Sequence, residues 1–138
     1  MRILTVRQPW AWLIVHGYKP IENRGTWGTD YRGPVVIHAA KGMTGDEHFA
    51  CQLFIEGFDE QLAHAIPTRG NLDRGGVVGI AKLVDMLRPG SAHPSPWYTG
   101  DYGFVFDDAR PLPFIPWTGA LGLRQVSGEL RRRIEEAS

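Results

Sequence analysis

Sulfur is scarce in this chain. A single cysteine, Cys51, stands among 138 residues, so an internal disulfide is excluded and a thiolate metal site cannot be built. That usage leads us to expect a reducing, cytoplasmic setting. Cys51 sits between Phe49 and Leu53 and reads as a small buried hydrophobe. Long apolar runs are missing too. No stretch reaches 18 apolar residues, which excludes a helical membrane span. The opening Met-Arg-Ile-Leu-Thr-Val has no apolar core and no small-residue cleavage site, so no secretory signal is expected. Net charge is absent, with 15 basic and 15 acidic side chains, which argues against strong non-specific binding to duplexes. Histidines at 16, 38, 48, 64 and 93 lack a metal-ligand spacing such as H-E-x-x-H, and no metal is expected. There is no G-x-x-x-x-G-K-S/T phosphate loop and no G-x-S-x-G elbow. Arg74-Gly75-Gly76 is too short for a dinucleotide fingerprint, so no cofactor is expected.

What is present suits one compact domain over residues 1–138, with a core over about 2–126 and a C-terminal helix over 127–138. Apolar residues make up 43% and charged residues 22% of the chain, ordinary for a globular protein. The charge is unevenly spread. Residues 1–41 hold six bases against two acids, residues 42–108 hold four against ten, and residues 109–138 hold five against three. The basic part is the opening segment.

Taken in order, Arg2–Val6 is β-rich and reads as a strand. Pro9 then suits a first helical turn, where its missing N–H costs nothing. Trp10, Leu13 and Ile14 fall on one helical face, Gly17 ends that helix, and Pro20 blocks its continuation. Residues 20–24 are extended, and Pro34–Ala39 is a buried strand that delivers His38 and Lys41 at its end. Thr44-Gly-Asp-Glu47 has the form of a reciprocal capping box, opening a helix that stops near Gly57. A shorter helix covers about 59–65, and Val77–Leu87 is the longest β-type stretch, with Gly79 marking a bulge or a close approach. Residues 88–100 carry three prolines and form a long loop. Tyr102–Phe106 is a strand, Asp107-Asp108 starts a turn, and Pro111, Pro113 and Pro116 break the next segment. Leu121–Val126 is the last strand, and Ser127 caps a basic helix. The sum is an α+β chain, mainly β: a small antiparallel or mixed barrel of five or six strands with two or three peripheral helices.

The chemistry concentrates at Lys19, Glu22 and Arg24. Alternate residues of a strand share a face, so Glu22 and Arg24 are co-facial, with Ile21 and Asn23 behind. Lys19, at the helix-to-strand turn, reaches the same face. The trio forms either a structural ion-pair network or a site. As a site, Arg24 or Arg7 forks onto a phosphate or base edge. Lys19 serves as base or nucleophile, and Glu22 relays protons or accepts from an exocyclic amine. Aromatic residues in loops, Trp27, Trp97 and Trp117 among them, offer faces on which bases stack.

Five segments, Arg-Gln-Pro-Trp-Ala (7–11), Gly-x-Lys-x-x-Glu-x-Arg (17–24), Ile-His-Ala-Ala-Lys (37–41), Gly-Gly-Val-Val-Gly (75–79) and Tyr-Gly-Phe-Val-Phe (102–106), together resemble the ASCH domain. This is the activating-signal-cointegrator homology group of PUA-like β-barrels. The resemblance runs to about residue 126. It implies a PUA-like barrel whose cleft beside the first helix binds RNA or a nucleoside. By position it places Lys19, Glu22 and Arg24 in that cleft, with Gln8 and Trp10 flanking. Some ASCH proteins hydrolyse N4-acetylcytidine with a lysine at the position of Lys19 and a threonine where this chain has Glu22. Others are ribonucleases, and eukaryotic members are linked to transcription coactivation.

The expected function is binding of single-stranded RNA or a modified nucleoside. One alternative is a metal-independent hydrolase in the same cleft, acting on an N4-acylated cytidine or on RNA. The other is a protein-interaction module. Lys19 and Glu22 are the candidate catalytic residues. Arg7, Gln8, Trp10, Arg24, Trp27, His38, Lys41 and Trp97 are the candidate ligand contacts.

Overall fold

A computed structural model describes all 138 residues. In chain order the elements are β1 (Arg2–Val6), α1 (Trp10–Val15), β2 (Ile21–Arg24), β3 (Gly33–Ala39), α2 (Gly45–Glu56), α3 (Glu60–Ala65), β4 (Gly76–Leu87), β5 (Tyr102–Pro116), β6 (Leu123–Gln125) and α4 (Gly128–Ala137). The six strands form one sheet in the order β2-β5-β4-β3-β1-β6, curled into a half-barrel. Only β1 and β3 run parallel; every other pair is antiparallel. Four helices flank the sheet, one beyond the upper count expected. None is long and apolar enough to cross a membrane.

Helix α1 works as a wedge. Ala11, Ile14 and Val15 pack on the sheet with Leu4, Val6, Val35 and Phe104. Leu13 points to a second cluster made with Ile21, Cys51, Ile55, Leu62 and Trp97. A six-residue helix with four buried side chains is held by such packing, since its own length gives little stability. The sheet receives it at Gly79, where an added Cβ would stand 2.5 Å from Val15 Cγ1 and 2.6 Å from the Arg110 carbonyl. The close approach read from Gly79 is thus the seat of α1, and the ladder slips register beside it.

One reading needs correction and another gains a partner. Strand β5 does not end at Phe106 but runs on through Asp107, Asp108, Pro111 and Pro113 to Pro116. Strand β2 covers only Tyr102–Val105 and the Pro20 carbonyl takes the Phe106 N–H, so beyond Phe106 the outer edge of β5 has no strand alongside, and proline is tolerated there. The expected turn at Asp107-Asp108 is a bulge instead. Asp108 and Ala109 lie opposite Ala81, between the pairs Lys82–Asp107 and Ile80–Arg110. Asp108 has φ 50°, a left-handed conformation that aspartate adopts more readily than most residues. The addition concerns Thr44-Glu47. The Thr44 hydroxyl accepts the Glu47 N–H at 3.1 Å, as expected of an N-cap. The Glu47 carboxylate reaches back to the Thr44 backbone and lies 3.4 Å from its hydroxyl, and it also takes the Arg7 guanidinium, the stronger partner because it is charged and forked.

Candidate ligand cleft

The turn after α1 sets the site. Gly17 takes φ +81°, and the N–H groups of Tyr18 and Lys19 both donate to the Leu13 carbonyl, at 2.9 and 3.0 Å. The chain is thereby folded back so that Lys19 enters the interior, with 4% of the residue exposed. Its ammonium donates to the Ile21 carbonyl at 2.6 Å and to Glu22 Oε1 at 2.9 Å. Strand β2 then pairs with β5, Glu22 opposite Phe104. Arg24 returns to the same carboxylate, with Nη2 3.0 Å from Glu22 Oε2, and also donates to the Thr5 carbonyl at 2.8 Å. Glu22 is the shared anion between two cations. Such an arrangement tolerates burial because each charge is paired and hydrogen-bonded. Arg24 Nε is the exception: it is buried without a partner, which costs on the order of 1–3 kcal/mol.

These three side chains line a cleft of about 560 Å³, within the usual size range for small-molecule sites. Trp10, Phe54 and Trp97 also line it. The Phe54 ring lies 6.0 Å from both Trp10 and Trp97, and Lys19 Nζ stands 5.6 Å from the Trp10 ring centre. The proline-rich loop over residues 88–100 delivers Trp97. It is pinned to β2 by Asn23, whose Nδ2 donates to the Trp97 carbonyl at 2.7 Å and whose Oδ1 accepts the Thr99 N–H at 3.1 Å.

The co-facial reading of Lys19, Glu22 and Arg24 therefore agrees with the geometry, and Trp10 and Trp97 join them. Arg7 stands at the rim, its guanidinium forked onto Glu47 at 2.6 and 2.7 Å. That pairing raises the Arg7 pKa and lowers that of Glu47.

Four expected contacts are not brought to the cleft. Gln8, 2% exposed, donates to the Asp73 carbonyl and accepts the Trp12 N–H. Trp27 packs edge-on against Phe104. His38, also 2% exposed, lies 2.6 Å from the Trp117 carbonyl and 3.3 Å from Thr5 Oγ1. Lys41 lies along Gly75. Thr5, Asn23, Phe54 and Thr99 line the cleft without having been singled out. Phe54 gave a weak signal, since α2 is apolar on several sides. The two-residue strand period predicts Asn23 on the opposite face of β2, but it meets the cleft at its edge, where its amide holds the loop that carries Trp97. Beneath the cleft the Cys51 thiol is pushed up to about 12 by burial, offset in part by the Lys19 charge. No three His, Cys, Asp or Glu side chains are grouped so as to hold a metal ion.

The family model for the ASCH domain matches residues 4–126. Among solved structures, ASCH from Zymomonas mobilis superposes with a TM-score of 0.60 at 14% identity, covering 99% of this chain and 95% of that one. A mutant of the same Zymomonas mobilis protein gives a TM-score of 0.60 at 15% identity, covering 99% of this chain and 96% of the other. At that identity the likeness speaks for the fold. No curated protein matches.

Proposed function

The chain belongs to the ASCH domain family, and from that premise we propose that its cleft binds a base of single-stranded RNA or a free, modified nucleoside. One observation carries this reading. Lys19, Glu22 and Arg24 converge on a cleft whose other walls include Trp10, Phe54 and Trp97. Aromatic side chains give a flat ring sequence-tolerant stacking, and the cations beside them give it polar contacts. The cleft is sized for one or two rings, which suits a chain with no net charge better than a long duplex does. A cytoplasmic location is part of the same proposal, supported by the single buried thiol.

Tryptophan fluorescence, titrated with short oligoribonucleotides and with nucleosides, tests binding. Saturable quenching that is lost in Arg24→Ala is the expected result. Unchanged fluorescence up to millimolar ligand would remove the proposal.

A hydrolytic role in the same cleft is the second reading. It is favoured by a buried ammonium that sits 2.9 Å from a carboxylate and retains one free N–H. An acyl carbonyl placed there would have its developing negative charge stabilised by Lys19 and Arg24. Release of cytidine from N4-acetylcytidine tests this, and equal rates for wild type and Lys19→Ala would take Lys19 out of the mechanism.

A further inference from the structure

The polar groups of the cleft are out of balance, and their inventory bears on which ligand fits. Apart from the Thr99 hydroxyl, which can donate or accept, the side-chain acceptors are engaged. Glu22 gives one oxygen to Lys19 and the other to Arg24, and only 11% of its side chain is exposed. Asn23 uses both ends of its amide on the loop that carries Trp97. The Thr5 carbonyl takes Arg24. Donors, by contrast, are in surplus. Lys19 uses two of its three N–H groups. Arg24 commits Nη2 twice, whereas Nε has no partner, and Nη1 is free for a ligand. At 25% side-chain exposure Arg24 is the most accessible member of the trio. Two cations against one carboxylate also leave the floor with a net positive charge.

We propose that the cleft selects a heteroaromatic base carrying an oxo group over the same ring carrying an amine in its place. Uracil- and hypoxanthine-type rings are then preferred to cytosine- and adenine-type rings. The inference rests on the reading that the cleft binds a base, and adds the edge it recognises. An oxo oxygen accepts from Arg24 Nη1, the guanidinium nitrogen that no protein group uses, and from the spare N–H of Lys19. An exocyclic amine would set donor against donor and leave both groups desolvated and unpaired, a mismatch that discriminates more strongly than a change of shape.

The test is a fluorescence titration of the intact protein with two matched pairs, uridine against cytidine and inosine against adenosine. The oxo member of each pair is expected to bind about tenfold more tightly, the scale of one hydrogen bond to a charged donor. Arg24→Lys keeps the charge but removes the free Nη1 donor, and is expected to bring the two members of each pair to equal affinity. Its circular dichroism spectrum serves as the check on folding. Equal or tighter binding of cytidine and adenosine by the wild type overturns the oxo preference while leaving base binding intact. No binding of any of the four nucleosides or of oligouridylate overturns both. An oxo preference that persists in folded Arg24→Lys removes Arg24 as its source and overturns the assignment. The wild-type comparison stands even if the variant fails to fold.

Discussion

Lys19 and Glu22, three positions apart, form an ion pair of 2.9 Å in which the two side chains are 5% and 11% exposed. The pair is not isolated, because Arg24 holds the second oxygen of Glu22 at 3.0 Å. Glu22 is therefore the hub, and the three positions should not be equivalent on mutation.

Glu22→Gln leaves two cations facing each other over an amide and is expected to cost about 3 kcal/mol, the scale of a broken buried pair. Lys19→Met keeps the volume and leaves Glu22 matched to Arg24, so a smaller loss of about 1–2 kcal/mol is expected. Urea unfolding midpoints measure both. A larger loss for Lys19→Met would show that Glu22 is not the hub.

Gly79 decides how closely α1 lies on the sheet. Gly79→Ala would press a methyl group into Val15 and the Arg110 carbonyl, and is expected to destabilise by about 1–3 kcal/mol, the usual scale of overpacking. Because α1 carries Trp10 to the cleft, its fluorescence should shift as well. Gly128→Ala, with nothing within 4 Å of the added carbon, is the control and is expected to be neutral or slightly stabilising. Equal unfolding midpoints for the two variants would mean that α1 does not depend on that contact.

Glu47 has a depressed pKa because Arg7 donates to it. A depressed carboxylate contributes stability above its unfolded value and loses it as pH falls through the folded one. The tie between the rim and α2 should accordingly open only at acidic pH, below the ordinary glutamate range of about 4.3. An NMR titration of the Glu47 carboxyl in wild type and Arg7→Met measures this. The midpoint is expected to rise in the variant, and no movement would remove Arg7 as the cause.

Burial pushes the Cys51 thiol up to about 12, so almost no thiolate exists near neutrality. Iodoacetamide at pH 8 is expected to leave the native protein unmodified and to alkylate it once urea unfolds it. Rapid labelling of the native protein, followed by mass spectrometry, would contradict this burial.

Local signals were readable wherever one residue type forces the backbone. Gly17 and Pro20 marked the end of α1 and the start of β2, and Thr44 and Ser127 marked two helix starts, each hydroxyl accepting the N–H three residues on. Asp107-Asp108 and the prolines of β5 misled, because their meaning depends on which strand lies alongside. A proline that would break a central strand is harmless on the edge that the short β2 leaves open. Tryptophans were the hardest to place. Trp27 and Trp97 both sit in turn-rich sequence, yet one packs against Phe104 and the other walls the cleft.

Covalent and near-neighbour physics thus reached a long way from the residues alone: one cysteine without a disulfide partner, a helix stopped by glycine and proline, and Glu22 and Arg24 on one face of a strand through the two-residue period. Chain folding over long separations set the rest. Asn23 meets Thr99 across 76 positions, Arg7 meets Glu47 across 40, and His38 finds the Trp117 carbonyl across 79. Those contacts depend on sheet order and helix packing, which no local period encodes. They decide that Lys19, Glu22 and Arg24 open onto a cleft, and that His38 stays behind it.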